Sequence, residues 1–368
     1  LSQTRGSGRP PSIVEVKSIK KFLKIVTSEP EPLTSEQVTL IQGSVPHIAG
    51  SIPDTGYKAM KDSFVNISNS ACYEFSRSEG GTFEAIRKMI NEGTDPDLCI
   101  VRDLDTGEVI GHAGLDTIPL GSFIFWKCIQ KILETPLDDL TAVVISVVSE
   151  PGKSRVVTKG NAALKVVLDV ISKAVSKPLY ELESSRSGMK QANHGWNLFR
   201  MFYSEKWREI LFPGKRVTPS KEGSLLSVQV EYDKCFAGST DFSTATDFMK
   251  REVAEQLLVP WLKLTGLPRF LQGIVRATLF RDRRVEFTDR GGRLTPDGEG
   301  RINDRLFVVS KRGVFMGDPL TKVALHLLNA SVRYISSVPV TLPTRAHSAN
   351  HTLRMLNRVL WPKVHVST

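Results

Sequence analysis

Two aspartates, Asp241 and Asp247, lie six positions apart and are separated by small and hydroxyl-bearing residues. The preceding segment Val228–Tyr232 alternates apolar and polar residues, which predicts a strand. Carboxylates that follow a strand suit a hard divalent cation, so the pattern favours Mg²⁺ (or Mn²⁺), with Asp241 as the metal ligand. The alternative is a helix N-cap followed by an acid in the first turn.

A basic block precedes the aspartates, and in it Lys153, Arg155 and Lys159 occupy alternate positions. In an extended segment this spacing directs all three side chains to one side of a strand or hairpin arm. A P-loop does not fit, because that pattern needs glycine where this chain has Val147. The alternative is a solvated basic strand.

A third block, Arg312–Lys322, follows the aspartates and leads into an apolar run. The three blocks, in this order, resemble motifs F, A and B of viral RNA-dependent RNA polymerases. The sequences of Ser239–Asp247 and Met316–Lys322 are similar to those of polymerases from the ourmia-like (botourmiavirus) group, with narnaviruses as more distant relatives. Ser187–Asn197 looks like the finger segment of that group.

This resemblance implies an α/β (α+β) chain that forms right-hand polymerase fingers plus an incomplete palm. Asp241 and Asp247 would be catalytic, with Asp241 on Mg²⁺ (or Mn²⁺) and Asp247 sensing the ribose 2′-hydroxyl. The residues expected to bind the incoming NTP are Lys153, Arg155, Lys159, Asp247 and Thr321. Those expected to contact RNA are Gly317 and Lys322. Many related polymerases carry Asn at the position of Leu325.

A complete palm also needs a Gly-Asp-Asp hairpin after the third block, and this sequence has none. Its one Asp-Asp pair, Asp138–Asp139, lies upstream of the basic block and is typical of a helix start. The chain is therefore expected to be inactive alone. It is either a truncated polymerase or one half of a split palm, with Gly-Asp-Asp on a second polypeptide.

The 368 residues carry a net charge of +10, which favours a polyanionic partner. With the resemblance, the expected partners are the RNA template, the nascent strand and NTPs. A non-catalytic basic viral RNA-binding protein is the alternative from a different functional class, and a reverse transcriptase is a weaker one. The four cysteines form no Cys-x-x-Cys pair, and no apolar run is long enough for a membrane span, so the host cytoplasm is expected.

The elements that would position these blocks follow from local patterns. Helices are predicted for 13–26, 161–175, 196–210, 248–264 and 317–335, a strand for 141–148 and a hairpin for 98–112. Residues 1–12 are expected to be disordered and 27–54 to form a loop. In the last helix, Asp318 is the predicted cap and Pro319 the first residue. The arginines between 276 and 301 suggest a solvated surface that follows RNA backbone.

The predicted organisation has four parts. Residues 1–140 form an N-terminal extension and outer fingers, 141–235 the fingers with the basic block, and 236–338 a partial palm. Residues 339–368 form a tail that is either non-native sequence or a true basic tail; the stretch from Pro319 to Thr368 contains no acidic residue.

Overall fold

The computed structural model describes residues 12–54, 64–93, 95–150, 153–182, 185–186, 216–219, 228–231, 245–302 and 304–337. Helices and strands are mixed, as an α/β or α+β chain requires. The α-helices are α1 Ser12–Val26, α2 Ser35–Gly50, α3 Gly81–Asn91, α4 Leu120–Glu134, α5 Leu137–Leu140, α6 Ala162–Ser176, α7 Ala245–Phe248, α8 Arg251–Leu264, α9 Arg269–Leu279 and α10 Thr321–Ser337. The strands are β1 Leu98–Arg102, β2 Val109–Gly114, β3 Val143–Glu150, β4 Lys153–Lys159, β5 Arg216–Pro219, β6 Val228–Glu231, β7 Arg283–Phe287, β8 Gly300–Ile302 and β9 Arg305–Ser310.

A five-stranded sheet joins segments that are far apart in sequence. Its strand order is β4-β3-β7-β9-β8. Strands β3 and β7 are parallel, with Val143 opposite Val285 and Val144 opposite Glu286. The other neighbours are antiparallel. The basic block on β4 and the segment that leads into the third block, β9, therefore belong to the same sheet.

Helix α1 covers one face of this sheet. Its apolar residues recur every three or four positions, so one stripe of the helix faces inward. The core formed there contains Ile19 and Phe22 of α1, Val285 and Phe287 of β7, and Val143 of β3. The opposite face of the sheet carries no part of this core.

Helices α6 and α8 are joined by a side-chain hydrogen bond, and α6 begins at a capping residue. Asn161 accepts a hydrogen bond from the backbone N–H of Leu164 and so begins α6. Trp261 of α8 is fully buried and donates its indole N–H to the carbonyl of Val175, at the end of α6 (2.9 Å). This bond ties the helix after the aspartates to the helix after the basic block.

By contact density the chain separates into two units, 1–178 with 244–331, and 179–243 with 332–368. The first unit contains the five-stranded sheet, the β1–β2 hairpin and most helices. In the second unit, β5 and β6 pair antiparallel, with Val217 opposite Val230. Nowhere in the described ranges is a helix both long and apolar enough to cross a bilayer.

Several local predictions are confirmed: helix α1, the 98–112 hairpin, the strands at 143 and 228, and helix α6. The helix predicted for 248–264 begins instead at Arg251, after the separate turn α7. The predictions for residues 1–11, 196–210 and 339–368 lie outside the described residues.

The prediction of a loop at 27–54 was wrong, because α2 occupies Ser35–Gly50. The Pro, Ser and Gly content concealed a capping box. Thr34 accepts from the backbone N–H of Gln37, and the Gln37 side chain accepts from the backbone N–H of Thr34. Pro46 lies inside this helix without ending it.

The Thr34 cap is expected to contribute about 1 kcal/mol to stability. Thr34→Ala should therefore lower the urea midpoint of unfolding, because the N–H of Gln37 loses its acceptor. Thr39→Ala, on the exposed side of the same helix, is the control and should leave the midpoint unchanged or raise it slightly. Equal losses in both variants would contradict a specific role for the capping box.

Candidate nucleotide and RNA interface

The basic block forms strand β4 at the end of the strand order, and its residues Arg155 and Lys159 lie on the sheet face opposite α1. The β3–β4 register is regular, with Val148 opposite Arg155 and Val144 opposite Lys159. Arg155 and Lys159 therefore project from one face, as predicted from their spacing. Arg155 is exposed and Lys159 is half-buried. Lys153 begins the strand opposite Glu150.

Lys159 lies in an environment that disfavours its charge. Burial is the main cause that lowers the pKa of Lys159, and the positive charge of Arg305 lowers it further. Glu79 acts in the opposite direction. A partly desolvated lysine beside an arginine gains from an anionic ligand that neutralises both.

A buried carboxylate organises the same face. Glu286 of β7 is fully buried and accepts hydrogen bonds from the Tyr73 hydroxyl (2.9 and 3.1 Å), Arg284 Nε (2.9 Å) and Arg305 Nη1 (3.3 Å). Arg284 also pairs with Asp139 at 3.0 Å. The backbone N–H of Tyr73 donates to the carbonyl of Gly160, just beyond β4 (2.8 Å). The cluster thus links β4, β7 and β9 through one tyrosine.

The third block contacts the basic strand directly at Gly317. A Cβ at this position would overlap the Thr158 carbonyl oxygen and lie 2.8 Å from Thr158 Oγ1. Only glycine permits this approach of one backbone to another. The Gly317 loop and strand β4 are therefore in van der Waals contact, although a large part of the sequence separates them.

Asp318 forms a buried ion pair. Its carboxylate lies 2.6 Å from Arg283 Nη1, with the two side chains 8% and 3% exposed. Arg283 Nε also donates to the carbonyl of Thr141, and its guanidinium lies over the Phe315 ring. The prediction that Asp318 caps a helix with Pro319 at its first position was wrong: α10 begins at Thr321, and the Asp318 side chain turns to Arg283.

The end of the aspartate block is bonded to the start of the third block. The N–H of Val314 donates to Thr246 O, and the N–H of Gly313 donates to Met249 O, both at 2.9 Å. Gly313 has a φ of 96°, a conformation that L side chains rarely adopt. Residues 246–249 and 313–314 therefore run side by side.

Arg251 stabilises the junction between residues 246–249 and 313–314. It is 5% exposed and donates to the carbonyls of Ser310, Arg312 and Gly313 and to Asp282. Burial, and then the charge of Arg283, lower its pKa to about 10. One buried guanidinium thus binds three carbonyls within residues 310–313, the segment that leads into the third block.

Asp247 is buried, 8% exposed, beside this junction. Its carboxylate accepts one hydrogen bond from Thr246 Oγ1 at 3.2 Å. Burial raises its pKa to about 6, against the opposing effects of the Thr246 hydrogen bond and the Lys21 charge. An ionised Asp247 is therefore costly here, and a ligand that hydrogen-bonds to the carboxylate would relieve that cost.

The other predicted residues of the third block have different exposures. Thr321 is buried, and its hydroxyl donates to the carbonyl of Phe315 at 2.6 Å. Lys322, the next residue, is exposed. Met316 is 48% exposed beside Gly317.

The predicted solvated arginine surface between 276 and 301 is exposed at four of its members: Arg276, Arg290, Arg293 and Arg301. The prediction was wrong for Arg283, and Arg281 and Arg284 are partly buried. Arg283 is buried, and the others that form ion pairs do so with carboxylates of neighbouring elements. The pairs are Arg276–Glu255, Arg281–Asp138, Arg283–Asp318, Arg284–Asp139, Arg290–Glu15 and Arg301–Asp289. Of these pairs only Arg283–Asp318 is buried on both sides, and the exposed pairs contribute little to stability. The Asp138–Asp139 pair starts the short helix α5, as predicted.

Asp241 lies outside the described residues, so its assignment as the metal ligand stays a prediction. In the part of the chain that is described, no three His, Cys, Asp or Glu side chains cluster as a metal site would require. No protein-family model matches the chain, and no curated protein matches it significantly.

The sequence interpretation missed the residues that organise the site: Tyr73, Arg251, Glu286 and Arg305. A possible signal was the alternation Arg284, Glu286 on a strand, which directs opposite charges to one face. Nothing local indicated that Tyr73 would reach Glu286.

Gly317→Ala is expected to destabilise the first unit by about 1–3 kcal/mol, because the methyl group must displace the Thr158 backbone. Gly273→Ala is the matched control, since its Cβ would meet nothing within 4 Å on helix α9. That control should be neutral or stabilising by up to about 1 kcal/mol. Denaturant unfolding of both variants measures the difference, and equal effects would contradict the close contact.

Asp247→Asn is expected to stabilise the protein above pH 6. The folded pKa of about 6 exceeds the ordinary aspartate value of 3.8, so the contribution of Asp247 to stability is complete below pH 3.8 and is lost as pH rises through 6. Asparagine cannot ionise and avoids that loss, about 2–3 kcal/mol at most.

Thermal unfolding at pH 4 and pH 8 measures the effect: the variant should unfold at a higher temperature only at pH 8. Asp97→Asn, at an exposed position, is the control and should change stability by less than about 0.5 kcal/mol. A gain for Asp247→Asn that is equal at both pH values would argue against a buried ionised carboxylate.

Proposed function

We propose that this chain forms the fingers and part of the palm of an RNA-directed RNA polymerase of a positive-strand RNA virus. One observation carries the proposal: the basic strand, the described end of the aspartate block (residues 245–247) and the third block come together in the first unit. Gly317 of the third block contacts Thr158 of the basic strand, and the backbone N–H of Val314 donates a hydrogen bond to Thr246 O of the aspartate block. A chance resemblance of three separate blocks does not require them to meet.

The chemistry of template-directed nucleotidyl transfer assigns a role to each block. Arg155 and Lys159 neutralise the triphosphate, and the arginine can donate two parallel hydrogen bonds to it. Asp241 would hold Mg²⁺ (or Mn²⁺), and the bound ion would supply activation of the 3′-hydroxyl and neutralisation of phosphate charge. Asp247 accepts a hydrogen bond from the ribose 2′-hydroxyl, which distinguishes NTPs from dNTPs.

In this proposal the third block supports the nucleic acid. Gly317 keeps the backbone close to the nascent pair, and exposed Lys322 contacts a template phosphate. Thr321 contributes by fixing the Gly317 loop, because its hydroxyl donates a hydrogen bond to the carbonyl of Phe315. The sequence holds no Gly-Asp-Asp triplet, so nucleotide addition would need that element from another polypeptide or from sequence beyond this chain.

Nucleotide binding tests the proposal. Titration of the wild-type chain with GTP and Mg²⁺ should show binding that Arg155→Gln and Lys159→Gln each weaken about tenfold or more, because each removes a charge-assisted contact. Arg276→Gln is the matched control, since it removes an exposed cation on α9 and should change GTP affinity less than twofold.

Metal binding and RNA binding separate the competing functions. Mn²⁺ binding, followed by electron paramagnetic resonance, should be lost in Asp241→Asn and retained in wild type. The alternative is a non-catalytic RNA-binding protein. It predicts salt-sensitive binding of single-stranded RNA, and affinities for GTP and Mn²⁺ that these substitutions do not change.

A further inference from the structure

Arg305 lies on the same sheet face as the basic strand, although it follows that strand by a long stretch of sequence. On that face Lys159, Val144, Glu286 and Phe307 are successive partners across β4, β3, β7 and β9. Arg305 is two residues from Phe307 and therefore projects to the same side. In strand direction its position falls between those of Lys159 and Arg155.

Two contacts fix the Arg305 guanidinium while leaving part of it accessible. Arg305 Nη1 donates to Glu286 at 3.3 Å, and the guanidinium lies 5.6 Å from the centroid of the Tyr73 ring. Tyr73 is fixed by two hydrogen bonds: its hydroxyl donates to the Glu286 carboxylate, and its backbone N–H donates to the carbonyl of Gly160. The Arg305 side chain nevertheless remains 34% exposed.

The described cations of this face, Arg155, Lys159, Arg284 and Arg305, outnumber the carboxylates near Lys159, Arg284 and Arg305, which are Glu79, Glu286 and Asp139. Glu286 supplies one negative charge for both Arg284 and Arg305, and Asp139 pairs with Arg284. Lys159 is close enough to Arg305 for the two charges to repel each other. An anion between them would remove that repulsion.

We propose that Arg305 binds phosphate and forms a cradle with Arg155 and Lys159, with cations from β4 on one side and from β9 on the other. Glu286 and Tyr73 position the Arg305 guanidinium. The proposal deepens the polymerase function and depends on it for the identity of the ligand. Across three strand spacings the β4 and β9 backbones are about 14 Å apart, and long side chains from both can meet phosphates between them. Those phosphates belong either to an NTP or to the RNA backbone.

Arg305→Gln is the main test, with Arg301→Gln as its matched control. Folding should be preserved, because Glu286 keeps its bonds to Tyr73 and Arg284. Arg301 is also an exposed arginine of this sheet, but it lies opposite Leu306 and pairs with Asp289, so it projects from the other face. The probes are GTP with Mg²⁺ and a single-stranded oligouridylate titrated over a range of salt concentrations.

We expect Arg305→Gln to weaken binding of one probe about tenfold and Arg301→Gln to change both less than twofold. A loss confined to GTP identifies triphosphate as the ligand. A loss confined to RNA, with the salt slope reduced by about one, identifies backbone phosphate. Either result supports the cradle.

The proposal is overturned if Arg305→Gln changes neither probe more than Arg301→Gln does. If Arg155→Gln still weakens GTP binding in that case, the polymerase function stands and only the cradle is wrong. If Arg155→Gln also has no effect, both proposals fail.

Arg305→Lys and Tyr73→Phe test positioning and remain informative if Arg305→Gln does not fold. Lysine keeps the charge, but it lacks the planar guanidinium that can donate to Glu286 and to a phosphate at the same time. Arg305→Lys should therefore lose part of the binding affinity. Tyr73→Phe keeps the ring and removes the bond to Glu286, and binding should weaken two- to threefold. Wild-type affinity in both variants would contradict a positioned arginine.

Discussion

The buried ion pair between Arg283 and Asp318 is the constraint on which the rest of the site depends. Arg283 begins β7, reaches back to Thr141 before β3, and holds the loop of the third block through Asp318. Removing one partner of a buried pair costs about 3–5 kcal/mol, because the other charge is left without compensation. The sheet and the Gly317 loop are therefore coupled: neither can move far without separating this pair.

The positive charge of the chain has two structural roles. Most of the arginines from 276 to 301 neutralise carboxylates on neighbouring elements, so they add little to the field that a polyanion would encounter. Arg155, Lys159, Arg305 and Lys322 are at least partly accessible and lie on or near the segments that carry the three blocks. The net charge of +10 alone does not distinguish these roles, whereas strand register and burial do.

Local patterns predicted the elements well where one signal dominated. The amphipathic patterns of α1 and α6 and the β-branched run of β3 each determine structure over a few residues. The prediction failed at α2, where a helix-breaking composition suggests a loop but a capping box starts a helix. Capping bonds act at one position and are easily hidden by averages over a window.

Long-range relations could not be predicted in the same way. That β3 lies beside β7, and that Tyr73 reaches Glu286, depends on the packing of distant segments, which no local period encodes. The same limit explains Asp318: its position after glycine and before proline is typical of a helix cap, but a buried Arg283 within reach offers a stronger partner.

The distribution of buried polar groups bears on the choice between the two functional classes. A protein that only coats RNA needs accessible cations, and these can be placed on any stable surface. Here Asp247, Arg251 and Glu286 are buried, and Gly313 and Gly317 hold backbones in close contact. Burying such groups opposes folding. Asp247, Arg251 and Gly313 lie where the end of the aspartate block meets the third block. The polymerase function proposed above would account for this cost, because nucleotidyl transfer needs fixed geometry and simple coating does not.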